Sequence, residues 1–306
     1  MSKPFLRFED AGIMISGQEL LASKASLSLS TSLSMERQFG EFDSQTGGAT
    51  VDFVNFAPSD GLVGQLQIEF MVTPEHFNEG GSFNSISRMF KIADGMSDQP
   101  INTNIVGRYA FDNMYLKSFS FSLKPFSIIS ASASYDIYGT ITRTVAKRMS
   151  YNKKTFAHGL KSFGNILVSG QNADSAVGSD SFEISSLDYS LEVNRQSHHS
   201  IRRNEHTSIN TNAGGATPTR MSVQEIICRS KIVANEMIPN LNSFGDQQDA
   251  HFLRKNADTT LSVFLNSLEG ERIASFTCSG KISSQESEIS EGSLAKSVIS
   301  LIGVIR

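Results

Sequence analysis

From Ala25 to Met35 the chain reads ASLSLSTSLSM, with serine at 26, 28, 30, 32 and 34 and with Ala25, Leu27, Leu29, Thr31, Leu33 and Met35 between them. A serine-rich linker has no reason to keep its other positions apolar. Strict alternation is the two-residue period of a strand with one face buried and one face wet. Eleven such residues extend over roughly 36 Å, long for a strand in an ordinary domain. The chain must therefore build a sheet with an unusually tall strand, with Leu27, Leu29 and Leu33 buried and Ser26, Ser28 and Ser30 exposed.

The remaining composition is compatible with such a sheet. The 306 residues suggest two domains or one large β domain. Phe is plentiful at 21 and Trp is absent, and Phe on alternating positions fills a β core without a polar group to satisfy. A net charge of −4 without clustered Lys and Arg argues against a surface that wraps nucleic acid. The segment MSKPFLRFEDAGIM has no apolar run behind its charges, so no secretory signal is expected. Val298–Ile305 is too short to span a bilayer and contains Ser300 and Gly303. A soluble protein made in a reducing cytoplasm is expected. Cys228 and Cys278 have no metal-ligand spacing and cannot make a disulfide framework, so two buried thiols are expected.

The second half echoes the first. IMISGQ at 13–18 returns as ILVSGQ at 166–171, and SLSMERQ at 32–38 as SLEVNRQ at 190–196. GGAT occurs at 47–50 and again at 214–217, and ASYDIYGTI at 133–141 returns as ASFTCSGKI at 274–282. The four matches keep their order and their facing, so a tandem duplication is expected, with one β domain over 1–150 and another over 155–306. The expected fold class is mainly β with short helices.

Within the first copy, a short strand at 12–16 precedes the tall strand at 25–35, then the loop DSQTGGAT and a strand at 66–72. Ile86, Met89, Phe90 and Ala93 recur at helical spacing, which predicts a short helix over 82–94. A hairpin turns at Lys124-Pro125 between strands at 115–123 and 126–141. In the second copy the tall strand is expected at 187–195, and a hairpin at 260–266 and 272–282 turns at Glu269-Gly270.

No residue pattern points to catalysis. The sequence has no nucleophile elbow, phosphate loop or dinucleotide fingerprint. His198, His199 and His206, with Glu205, match no zinc spacing. No enzyme, metal or cofactor is expected. Gly47, Gly48, Gly214 and Gly215 supply mobile turns or contacts to a neighbouring subunit. Arg37 and Arg195 end the two tall strands and suit a structural or interface ion pair as well as plain solvation.

A glycine-terminated opening strand, a tall alternating strand, a glycine-rich loop and a closing hairpin, all present twice, resemble the tail-tube fold of bacteriophage tails and contractile injection machines. The resemblance covers most of both copies by layout and rests on no single motif. It implies tall hairpins joined edge to edge into a barrel that lines a DNA channel, with the loop reaching the next ring. A doubled chain then implies homotrimeric, pseudo-six-fold rings, as tail tube or as the baseplate hub where a tube begins. Other tail or baseplate proteins would be the partners, the location would be the virion, and no membrane would be involved. Ser26, Ser28, Ser30, Arg37, Gly47, Gly48, Arg195, Gly214 and Gly215 would lie at the lumen or a subunit interface. Seams are expected between the hairpin at 115–141 of one copy and the tall strand of the next. A tandem β-sandwich that binds carbohydrate or a receptor is the alternative, although the absence of Trp weakens it.

Overall fold

The computed structural model describes residues 12–15, 17–20, 22–30, 33–38, 53–58, 61–74, 92–93, 97–98, 100–138, 140–145, 155–168, 184–198, 218, 220–234, 259–289 and 296–305. Among these the secondary structure is almost entirely antiparallel strand, so the chain is a mainly β protein. In chain order the strands begin with β1 (Ile13–Ile15), β2 (Gln18–Leu20), β3 (Ala22–Leu29), β4 (Leu33–Gln38), β5 (Phe53–Pro58) and β6 (Gly64–Met71). Next come β7 (Ile92–Ala93), β8 (Ser97–Asp98), β9 (Asn104–Val106), β10 (Tyr109–Phe111), β11 (Met114–Leu123), β12 (Ser130–Ile137) and β13 (Ile141–Arg143). The second half contributes β14 (Phe163–Val168), β15 (Ile184–His198), β16 (Arg220–Ala234), β17 (Thr259–Asn266), β18 (Arg272–Glu288) and β19 (Lys296–Ile305).

Ten strands form one sheet in the order β14-β17-β18-β19-β16-β15-β11-β12-β6-β3, and β13-β10-β9-β1-β2 form a second sheet of five. The two halves of the chain meet inside the large sheet. There β11 pairs with β15 in a ladder from Ser118↔Glu192 to Leu123↔Leu187, the expected contact between the 115–141 hairpin and a tall strand. Of the two matching segments, Ala133–Ile137 lies in β12 and Ile141 begins β13 of the smaller sheet, so the strand expected at 126–141 is divided, whereas 274–282 lies wholly in β18.

The tall strands are present, with one correction. In the second half, β15 and β16 are 15 residues each and pair along their whole length, longer than the expected 187–195. In the first half, the alternating stretch is split into β3, which pairs with β6, and β4, which pairs with β5. Leu29 opposes Gly64 and Leu33 opposes Pro58. The return strand therefore carries two more residues than the outgoing one over this interval, and such an excess bends a ladder.

Side-chain facing follows the alternation, again with an exception. Ser26, Ser28 and Ser30 are exposed, and Ala25 and Leu27 pack against the core. Leu29 is 56% exposed, against expectation, because β3 is the last strand of its sheet and nothing described covers its end. The side chain of Leu33 lies outside the described residues. The expected helix over 82–94 fails at its end, where Ile92 and Ala93 pair as a strand with Ser97 and Asp98. Residues 82–91 and 94 lie outside the described set.

One face of the large sheet is buried. Leu66, Ile68 and Phe70 of β6, Phe119 and Phe121 of β11, Tyr189 and Leu191 of β15 and Cys228 and Ile232 of β16 join Ile13, Ile15 and Phe111 of the smaller sheet in one core. Phe276 of β18 lies 5.9 Å from Phe119 and 4.9 Å from Phe121, ring centre to ring centre. In sheet order β18 is four places from β11, so such contacts require the β17/β18 hairpin to fold back over the apolar face. The strand crosses between layers in mid-course. Its residues 272–280 pair with β17, and residues 281–288 pair with β19. At the crossing a Cβ on Gly280 would collide with the backbone of Ile302 and Gly303, and one on Gly303 would collide with the Ser279 carbonyl. Only two glycines let these backbones meet, as corners where strands switch sheets require.

The ends of the sheet differ. Strands β4 and β5 continue beyond Leu29 and Gly64, and β15 and β16 run past the Met114 end of β11 to His198 and Arg220. At the opposite end the turns near Lys124–Ile129, Ala157–Ser162 and Ser267–Glu271 are tied together. Ile129 N–H donates to the Ala157 carbonyl at 2.9 Å, and His158 N–H donates to the Asn266 carbonyl at 2.8 Å. Phe126, with φ +60°, and Gly270, with φ +92°, make the two tight turns.

Candidate lumen face and open edge

The exposed face of the large sheet is built from the wet half of each alternating strand. One row across five strands reads Ser26, Gln67, Ser134, Ser118 and Glu192. The next reads Lys24, Glu69, Ser132, Ser120, Ser190 and Arg229. The rows are continuous because the pairing between the two halves keeps the parity of both. Between β3, β6, β12 and β11 the face dips into a groove of about 280 Å³, lined by Ser26, Ser28, Gln65, Gln67, Lys117 and Ser132 among others.

Charges on this face stand in opposite pairs. Lys24 Nζ is 3.2 Å from Glu69 Oε1, Lys117 Nζ is 3.7 Å from Asp136 Oδ1, and Arg229 Nη1 is 2.9 Å from Glu192 Oε2. Pairs this exposed contribute about 0–1 kcal/mol each, so their effect is on the field rather than on stability. Partial burial pushes the Asp136 carboxyl upward, and Lys117 and the 3.0 Å hydrogen bond donated by Gln65 oppose that shift. Ser118 and Ser134 share a hydrogen bond of 2.7 Å across the β11/β12 ladder.

The expected site residues do not all gather here. Ser26 and Ser28 line the groove, and Ser30 is exposed just past the end of β3. Arg195 lies instead beside the bulge in the β15/β16 ladder, with its guanidinium 5.9 Å from the centre of the Tyr115 ring. Burial lowers its pKa to about 9, which leaves it a cation at neutral pH. Burial, and Tyr138 beside it, push the Tyr115 phenol up to about 12. Arg37 belongs to β4 by its backbone, with its side chain outside the described residues. Gly47, Gly48, Gly214 and Gly215 also lie outside them, as do His199, Glu205 and His206. His198 Nε2 is 2.8 Å from Ser222 Oγ. Among the described residues no three His, Cys, Asp or Glu side chains converge as a metal site, and no helix is long and apolar enough to cross a membrane.

Sequence reading missed the open edge. Strand β3 ends the ten-strand order, and among the described residues its outer side has no strand partner. Beyond Gly280, β18 likewise pairs only with β19 among the described strands. Alternation reveals facing but says nothing of which strand is last. No protein-family model matches this chain, and no curated protein matches it.

Proposed function

We propose that the chain is a structural subunit of a bacteriophage tail, forming a ring whose polar face lines a channel for DNA, as tail tube or as the hub at its end. The observation that carries this reading is the serine-rich, charge-paired face that runs from β3 to β15 and reaches Arg229 of β16, giving way to Ile227, Ile302 and Val304 beyond. Small neutral hydroxyls and compensated charges give phosphates nothing to hold, whereas unpaired lysines would bind and retard them. The ladder between β11 and β15 supports the same reading, since it joins two tall-hairpin units edge to edge within one chain.

Closure follows from the edges. An uncovered strand invites pairing with another chain, and here β3 of one chain would meet the 281–288 half of β18 in the next. This seam differs from the one inside the chain, so the contact is head-to-tail and closes by rotation. The sheet from β3 to β18 has eight strands per chain. Three chains give about 24 strands, which at ~4.8 Å spacing and ~40° tilt close a barrel roughly 50 Å across. That width clears a nucleic-acid duplex.

Light scattering of the purified protein and of Leu29→Lys tests the reading. The expected wild-type mass is three chains or a stack of such rings, with the variant reduced to single folded chains of unchanged circular dichroism. A six-chain ring rejects three-fold closure. A wild-type protein that stays a single chain at high concentration rejects the ring and favours a binding module that uses the groove.

A further inference from the structure

Two cysteines separated by fifty positions of sequence meet across the core. Cys228 belongs to β16 and Cys278 to the part of β18 that pairs with β17. Both are buried and both are free thiols. In the β16/β19 ladder Cys228 stands directly opposite Gly303. A Cβ on Gly303 would lie 3.2 Å from Cys278 Sγ. Cross-strand partners hold their Cβ positions about 4.5–5.5 Å apart, so the space left by the missing side chain brings the Cys278 thiol next to Cys228. The two thiols are within hydrogen-bonding reach of each other. The Tyr189 hydroxyl is 3.7 Å from Cys228 Sγ.

We propose that Cys228 and Cys278 are a latent cross-layer disulfide, which closes when the folded chain meets a two-electron oxidant of the peroxide class. Hydrogen bonds from Cys278 and Tyr189 pull the Cys228 thiol down, and the same contact with burial pushes Cys278 up, so Cys228 is the attacking thiolate. Its sulfur attacks one peroxide oxygen, the O–O bond breaks, and hydroxide leaves with a sulfenic acid on Cys228. The Cys278 sulfur then attacks that sulfur, the S–O bond breaks, and the hydroxyl departs with the Cys278 proton as water. Two thiols and one peroxide become one disulfide and two waters. The sulfurs are oxidised and the peroxide oxygens reduced.

The bond would fasten β16 to the β17/β18 hairpin beside the point where β18 crosses between layers. It stands apart from the ring reading and is tested without reference to assembly. The folded wild-type chain is treated with hydrogen peroxide, unfolded without reductant, alkylated and weighed. The expected result is a loss of the mass of two hydrogens with no alkylated cysteine, reversed by dithiothreitol, together with a rise in Tm of about 5–10 °C. Two alkylated cysteines after treatment, added oxygen without a crosslink, or a crosslink only between chains would each overturn it. Cys278→Ser should remain alkylatable at Cys228 or carry one added oxygen, and a Tm that rises in this variant too would also refute the proposal.

Discussion

The crossing of β18 between layers makes a quantitative prediction at Gly280. One added methyl there presses on the Ile302 carbonyl and the Gly303 Cα, and both obstacles are backbone, so no rotamer change relieves them. Overpacking costs about 1–3 kcal/mol where side chains can yield. Here two strands must separate at the residue where pairing passes from β17 to β19, so Gly280→Ala should cost about 3 kcal/mol. Gly270→Ala is the reference, since its Cβ meets nothing within 4 Å and pays only for φ +92°, about 1–2 kcal/mol. The chain has six Tyr and no Trp, so urea unfolding is best followed by far-UV circular dichroism, with the midpoint shifting and the slope unchanged. If Gly280→Ala costs no more than Gly270→Ala, the backbones at the crossing are not in contact and the layered description is wrong there.

Other substitutions probe the register, the buried carboxyl and the sheet order. Leu27→Asp places a charge against the core and should cost about 2–4 kcal/mol, whereas Ser28→Asp should stay within about 0.5 kcal/mol in the same denaturation assay; the reverse order would mean the facing of β3 is shifted by one residue. Partial burial raises the folded pKa of Asp136 above the ordinary carboxylate value, so ionisation opposes folding, and that penalty is present above the folded pKa and vanishes as pH falls below the unfolded one. Asp136→Asn, which keeps an oxygen for Gln65, should therefore be more stable than wild type at pH 7 and level with it at pH 3, by thermal melts; a gap that widens toward acid would contradict the sign. Removing residues 296–305 strips the strand between β16 and β18 and exposes an edge of each, so size-exclusion chromatography should show aggregate, and a clean monomer would refute the central placement of β19.

The parts of the fold legible in the sequence were those governed by neighbours in the chain. Alternation at 25–28 gave the facing of β3, and Pro125 and Gly270 marked their turns. What escaped depends on residues far apart. The alternating pattern runs straight from Leu29 to Leu33, yet these two residues pair with Gly64 and Pro58, so the return strand carries two more residues between them. The exposure of Leu29 follows from β3 being outermost, which no local period encodes. Gly280 and Gly303 read as ordinary strand glycines until the two backbones meet. The cysteines carried no spacing signal, since their approach depends on the β17/β18 hairpin folding over the core. The exposure of Ser26 and Ser28 followed from parity alone, and the same parity sets Arg195, with Leu191 and Val193, on the core side of β15.

The unequal ends of the sheet give the molecule an arrow. Long hairpins leave from one end, and at the other three turns are knotted together beneath Phe126, Leu160 and Leu268, which are 80%, 49% and 56% exposed. A stack built from this chain without inverting it would have the ends of β15 and β16 at its front and, at its back, Phe126, Leu160 and Leu268 set among exposed Lys124, Lys161 and Glu269. The two tips of such a stack would present different chemistry to an arriving subunit and would lengthen at different speeds. A protein built to halt growth at one tip would have no purchase on the other.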